Sequence, residues 1–361
     1  MDGLFDFVME KYSWLIDSYM IEYFIKDLWN KLPFSWRLAL ENMEPEDCLC
    51  LVDASAPCKN RVLPLAIICL KLLASGLPSR EAVKSPDEVA KACGISNTKL
   101  HYFSSITAAN NLRTKLKPKK QYEIDRIVII VELLRECDST PMFNTVIDIG
   151  AGMGHLARIL SVSLPECVVY AVEQNEELDS GECGFPMSSK YREKYLSYAA
   201  RDLACHGNES FAKQLLVKPH SAYRLQCYRA VLEWLIVNSQ QEQLCRQRES
   251  LVVHSVTSKN GMSFVEYMRS ALVKYPDIAK VLEEQTRYDE KSELLINSVE
   301  KEWRHLLVVH CLRLLFAPII EQIMIRDRVQ YLEEFGHSVA VVPLFDPRIS
   351  PRNFALIAMK K

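Results

Sequence analysis

The stretch VIDIGAGMGHLARIL, residues 146–160, decides how the chain is read. The protein has 11 glycines, and Gly150, Gly152 and Gly154 fall within five positions of it. Val146, Ile147 and Ile149 are β-favouring residues bounded by Asn144 on one side and by glycines on the other. Leu156, Ile159 and Leu160 then recur at helical spacing until Pro165, and VVYAV, residues 168–172, is a second short apolar run. Strand, glycine loop, helix and strand in that order predict a compact βαβ unit over residues 143–175.

Glycines after a strand let the backbone pass close to a ligand and turn sharply into a helix whose free N–H groups face it. Dinucleotides and S-adenosylmethionine both use this geometry. The dinucleotide fingerprint G-x-G-x-x-G, counted from Gly150 and Gly152, demands glycine at position 155, which is His155. Asp148 stands two residues before the first glycine, where a carboxylate repels a pyrophosphate but suits a ligand with a cationic sulfonium or ammonium centre. Glu173 closes the second strand at the distance expected of an acid that binds ribose hydroxyls. The expected cofactor is therefore S-adenosylmethionine, held by Asp148, Gly150, Gly152, Gly154 and Glu173. No residue is assigned as a catalytic base, and His155 reads as a packing or capping residue.

Outward from this unit, residues 1–112 read as a helical N-terminal region. Trp14, Leu15, Tyr19, Phe24, Ile25, Leu28 and Trp29 recur at helical spacing up to a break at Pro33. Ile124, Ile127, Val128, Val131 and Leu134 mark a helix over 121–137 that leads into Pro141. A mainly helical insertion is expected over 185–320. A C-terminal strand pair is expected over 337–361, from HSVAVVPLF and NFALIAMK joined by DPRISPR. The fold class is α/β, with residues 113–361 as the domain that carries the glycine loop.

The net charge of −2 gives no global attraction to nucleic acid. The basic strip RTKLKPKK, residues 113–120, lacks interleaved aromatics and reads as a solvated helix approach. Twelve cysteines without a C-x-x-C pair predict reduced thiols, hence a cytoplasmic or nuclear protein, and no metal site. LLVVHCLRLLFAPIIEQIMI, residues 306–325, contains His310, Arg313, Pro318 and Glu321, so a buried helix kinked or restarted at Pro318 is expected rather than a membrane span.

Several segments resemble the methyltransferase-like protein 25 family, whose members are also described as carrying a ribosomal RNA adenine dimethylase domain. They are LWNKLPFSW (28–36), KPKKQYEI (117–124), VIDIGAGMGHLARIL (146–160), VVYAVEQN (168–175), GFPMS (184–188), RLQCYRAVLE (224–233) and LFDPRISPRNFALIAMKK (344–361). The resemblance implies a Rossmann-like methyltransferase domain behind a helical region. It makes Lys119, Lys120 and Glu123 part of a recurrent motif before the first strand. It also implies a long segment with the third, fourth and fifth strands between the ribose acid and the G-F-P motif. Here only ten residues separate Glu173 from Gly184, too few for one parallel crossover. The expected sheet is therefore incomplete, and two functions stay open: an S-adenosylmethionine-dependent methyltransferase acting on RNA or protein, or a shortened, inactive binding or scaffold protein of methyltransferase-like shape. No Pro-Pro dipeptide occurs, so the N/D-P-P-Y/F loop usual for methylation of adenine's exocyclic nitrogen is lacking.

Overall fold

The computed structural model describes residues 2–58, 61–82, 86–92, 116–135, 143–173, 185–239, 251, 253–257, 259 and 261–360. Pro141, Gly184, the start of the basic strip and the ten residues after Glu173 lie outside the described residues. The longer elements follow the order α1 Asp2–Ile16, α2 Leu65–Ser75, α3 Pro118–Arg135, β1 Thr145–Ile149, α4 His155–Ser163 and β2 Val168–Val172. Then come α5 Asn208–Val217, α6 His220–Val237, α7 Phe264–Ala271, α8 Pro276–Tyr288, α9 Glu290–Leu314, α10 Ala317–Glu334, β3 His337–Pro343 and β4 Phe354–Lys360. Among the described residues the architecture is mixed and rich in helix, with two small sheets.

The chain divides into two compact units. The first, Met1–Leu77, Ser197–Ala204 and Phe211–Glu321, joins N-terminal helices to helices from the segment expected as an insertion. Its axis is α9, whose Trp303, Leu306, Leu307, Val308, Val309, Cys311 and Leu312 are buried. Fully burying one such aliphatic side chain contributes about 1.5–3 kcal/mol. α6 packs on α9 with Tyr223, Cys227, Val231 and Leu235 buried, and the Tyr223 and Trp303 rings stack at 6.3 Å between centroids. Arg313 is buried too, its Nε donating to the Ile16 carbonyl at 3.0 Å and its Nη2 to the Ala199 carbonyl at 2.9 Å.

The apolar run expected to be a buried, restarted helix is one. α9 ends at Leu314 and α10 begins at Ala317. Pro318 thus sits in a first turn, where its missing N–H breaks no intrahelical bond. The stretch is long and apolar enough to cross a membrane, yet 89% of its most apolar window is buried within the protein.

The second unit comprises Pro78–Leu196, Cys205–Ser210 and Gln322–Lys361. β1 and β2 pair in parallel, Thr145 opposite Val168 and Ile149 opposite Val172, with α4 as the crossover. β3 and β4 form the expected antiparallel pair, His337 opposite Lys360 and Pro343 opposite Phe354. The two sheets are separate, and α3 lies between them. Its Ile124 and Val128 pack with Ile159 and Leu160 of α4, and its Ile130 and Leu133 pack with Val342 and Ile357 of the hairpin. An amphipathic stripe covers one face of a helix; the run IVIIVELL spreads apolar residues further round because α3 has sheet or crossover on both sides.

Candidate functional site

The glycine loop joins β1 to α4. Gly150, Gly152 and Gly154 have φ of 76°, 53° and 67°, a region that disfavours any residue with a Cβ. A Cβ on any of the three would meet nothing within 4 Å, so backbone conformation rather than crowding by the chain requires glycine here. The loop lies over the end of β2, where Gly150 and Ala151 donate their N–H groups to the Val172 carbonyl at 2.7 and 3.2 Å. Gly154 is the N-cap of α4, and no side chain caps that helix.

Of the five residues expected to hold the cofactor, the fold brings all to this one end of the parallel pair. The Glu173 carboxylate accepts the Gly152 N–H, which ties the loop to the end of β2. That bond uses one lone-pair direction of an exposed carboxylate, leaving others free for hydroxyl donors. Asp148 lies on the inward-facing side of β1, as the alternating burial of the strand requires. Its Oδ2 is buried and has no hydrogen-bond partner. A buried carboxylate oxygen left unsatisfied costs roughly 1–3 kcal/mol or more, and an orphan acceptor beside an open glycine loop fits a ligand that brings its own donor or positive charge. These residues therefore fit S-adenosylmethionine at its amino-acid and ribose ends. His155 is engaged within the helix turn, its Nδ1 2.8 Å from Arg158 Nη2, while the same guanidinium donates to the Met153 carbonyl at 3.1 Å.

The motif before β1 is occupied elsewhere. Glu123 accepts the Ser350 hydroxyl at 2.8 Å and lies 3.8 Å from Lys119, while the Tyr122 hydroxyl accepts the Asp346 N–H at 2.7 Å. Arg126 donates to the Leu344 carbonyl at 3.0 Å. K-K-Q-Y-E thus clamps α3 to the loop between β3 and β4, a contact across more than 220 positions. Lys120 is exposed.

Sequence reading did not foresee two anchors. Asp327 on α10 is fully buried and accepts the N–H groups of Met187 and Ser188 and the Ser188 hydroxyl, with distances of 2.8–3.1 Å. Glu334, about two helical turns onward on the same face, accepts the Ser189 N–H and hydroxyl, and these bonds hold its carboxyl below the usual range. Together they fix the F-P-M-S-S segment. The repeated serines were the only sequence sign, since the acids lie about 140 positions away.

Among the described residues no group of three or more His, Cys, Asp or Glu is arranged to hold a metal.

Two curated relatives align with about half of the chain. Probable methyltransferase-like protein 25 of Mus musculus is 34% identical over 184 residues, 49% of this chain and 28% of its own length. The Homo sapiens protein of that name is 32% identical over 194 residues, 52% of this chain and 30% of its own length. The chain therefore covers less than a third of either relative. No family model matches, and no solved structure matches significantly. Through the aligned half the chain is similar to proteins named probable methyltransferase-like protein 25, the family its motifs resemble.

Proposed function

We propose that the second unit is part of a Rossmann-like methyltransferase domain and that its glycine loop binds S-adenosylmethionine. The observation that carries this reading is the buried, unpartnered Oδ2 of Asp148 at the carboxyl end of β1, beside three left-handed glycines. Ligands of open α/β sheets bind outside the carboxyl ends of the strands. Asp148 orients the amino-acid end of the cofactor, the glycine loop lets it approach the backbone, and Glu173 accepts from its ribose hydroxyls. Bound there, the cofactor supplies an electrophilic methyl group for in-line transfer to a nucleophile on a macromolecular acceptor, RNA or protein. The chain's own contribution is positioning, the term in which fixed geometry is worth most.

A second reading is favoured by the parallel sheet itself. Its outer face exposes Ile147, Ile149, Tyr170 and Val172, and among the described residues it has two strands. Parallel strands are normally covered on both faces. On this reading the unit is a non-catalytic binding protein that keeps a methyltransferase-like loop. Calorimetry of the full chain with S-adenosylmethionine separates the two. Binding that is lost in Asp148→Ala supports the cofactor site, whereas a folded wild-type chain that shows no heat at millimolar cofactor leaves the binding-protein reading standing.

A further inference from the structure

We infer that the helical unit carries a second ligand site, a half-open cleft of about 500 Å³, with Asp27 and Asn30 exposed at its rim, that takes a free α-amino acid by its adjoining ammonium and carboxylate groups. The volume lies within the range of small-molecule sites. The cavity is walled on one side by Asp27, Trp29, Asn30 and Arg37 and on the other by α9.

Two opposite charges on that wall are held one amide apart. The Asn30 side chain donates through Nδ2 to Asp27 Oδ1 at 2.9 Å and accepts through Oδ1 from Arg37 Nη1 at 2.8 Å. The amide dipole thus spans the gap that an amino acid's ammonium and carboxylate span with full charges. Among the described residues neither Asp27 nor Arg37 has an ion-pair partner, and Arg37 Nε is buried without a hydrogen bond. The other charges are compensated: Glu41 pairs with Lys301 at 3.0 Å, and Glu302 accepts the Tyr23 hydroxyl at 2.7 Å. A simple anion at Arg37 would face the Asp27 carboxylate, and a simple cation at Asp27 would leave the guanidinium unneutralised. A zwitterion satisfies both.

The backbone points the same way. Asp27 is the one non-glycine residue among those described with a left-handed conformation, φ 48°. It occupies the N-cap position of the short helix Leu28–Lys31, yet its side chain makes no cap bond there. Carboxylates at that position normally bond the helix N–H groups. Here the carboxylate is turned to Asn30 and the cavity instead. Phe24, Leu295 and the edge of the largely buried Trp29 ring, itself stacked on His305 at 3.9 Å and 7°, supply a small apolar patch for the ligand's side chain in an otherwise polar lining.

The test is calorimetry of the full-length chain with the common L-amino acids, run singly, and with the amide and N-acetyl derivatives of whichever binds. The apolar amino acids are expected to bind and both derivatives to fail. Arg37→Gln and Asp27→Asn, the latter chosen because asparagine tolerates the left-handed conformation, are each expected to weaken binding about tenfold or more with an unchanged circular-dichroism spectrum. Asp148→Ala should bind as wild type does, which keeps this site distinct from the glycine loop. The inference is overturned if the folded wild type binds no amino acid up to about 10 mM, if either derivative binds as well as its parent, or if both variants bind normally.

Discussion

Asp148 on β1 and Glu302 on α9 are both partly buried acids, and their hydrogen bonding differs: one keeps an oxygen without a partner, the other is bonded into the fold. Asp148 keeps a buried oxygen without a partner. Replacing it by asparagine therefore removes charge without breaking a bond that the fold uses. Asp148→Asn is expected to leave the urea midpoint unchanged or to raise stability by up to about 1 kcal/mol, while abolishing S-adenosylmethionine binding; a clear loss of stability would mean that the carboxylate serves the fold. Glu302 behaves in the opposite way. Burial opposes its ionisation, but hydrogen bonds from His305 and Tyr23 outweigh that and hold the carboxyl below the ordinary 4.5. Burial and the neighbouring Glu302 in turn push the Tyr23 hydroxyl upward. A depressed carboxyl stabilises the native state above its unfolded-state pKa, and that stability is lost as pH falls through the folded value. Acid unfolding followed by circular dichroism should accordingly show a wild-type loss of stability below about pH 4.5 that is shallower in Glu302→Gln.

At the scale of elements, the loop between β1 and α4 and the segment after residue 184 are shaped by opposite devices. The loop relies on backbone freedom: with φ at 67°, Gly154→Ala is expected to cost roughly 1–2 kcal/mol in chemical denaturation although a Cβ there would touch nothing. A neutral result would show that the loop relaxes into another conformation. The F-P-M-S-S segment relies instead on one carboxylate. Asp327→Ala strips the acceptor from two backbone N–H groups and a hydroxyl in a buried setting. A loss of about 2–4 kcal/mol is expected, with Asp327→Asn losing less because its carbonyl still accepts. Glycines carry their conformational need in the sequence itself. A buried acid shows its importance only through what it meets.

For the molecule as a whole, the parallel pair is the anomaly. One face of β1 and β2 packs through Val146 and Val169 onto α3 and α4, while Ile149 on the other face is 81% exposed. Contiguous apolar surface of this kind marks an interaction or association site. Ile149→Lys is expected to reduce concentration-dependent self-association, read by light scattering, without lowering the thermal midpoint; a lowered midpoint would show that Ile149 is covered within the protein.

The sequence by itself determined the local elements. VIDIGAGMG specifies strand, left-handed loop and helix because β-branched residues, glycines and helical periodicity act within a few positions of one another, and the structure has β1, the loop and α4 where that pattern puts them. The same holds for the restart at Pro318 and for the strands around DPRISPR. Only the tertiary structure decided which elements share a core. It placed α3 between two separate sheets, gave the K-K-Q-Y-E motif to the β3–β4 loop, and set α9 beside residues 23–41 so that Asp27 and Arg37 line a cavity. Apart from the packing of α3 on α4, those outcomes rest on contacts between residues more than 100 positions apart, where burial of apolar faces and satisfaction of buried polar groups choose the partner and no local propensity records the choice.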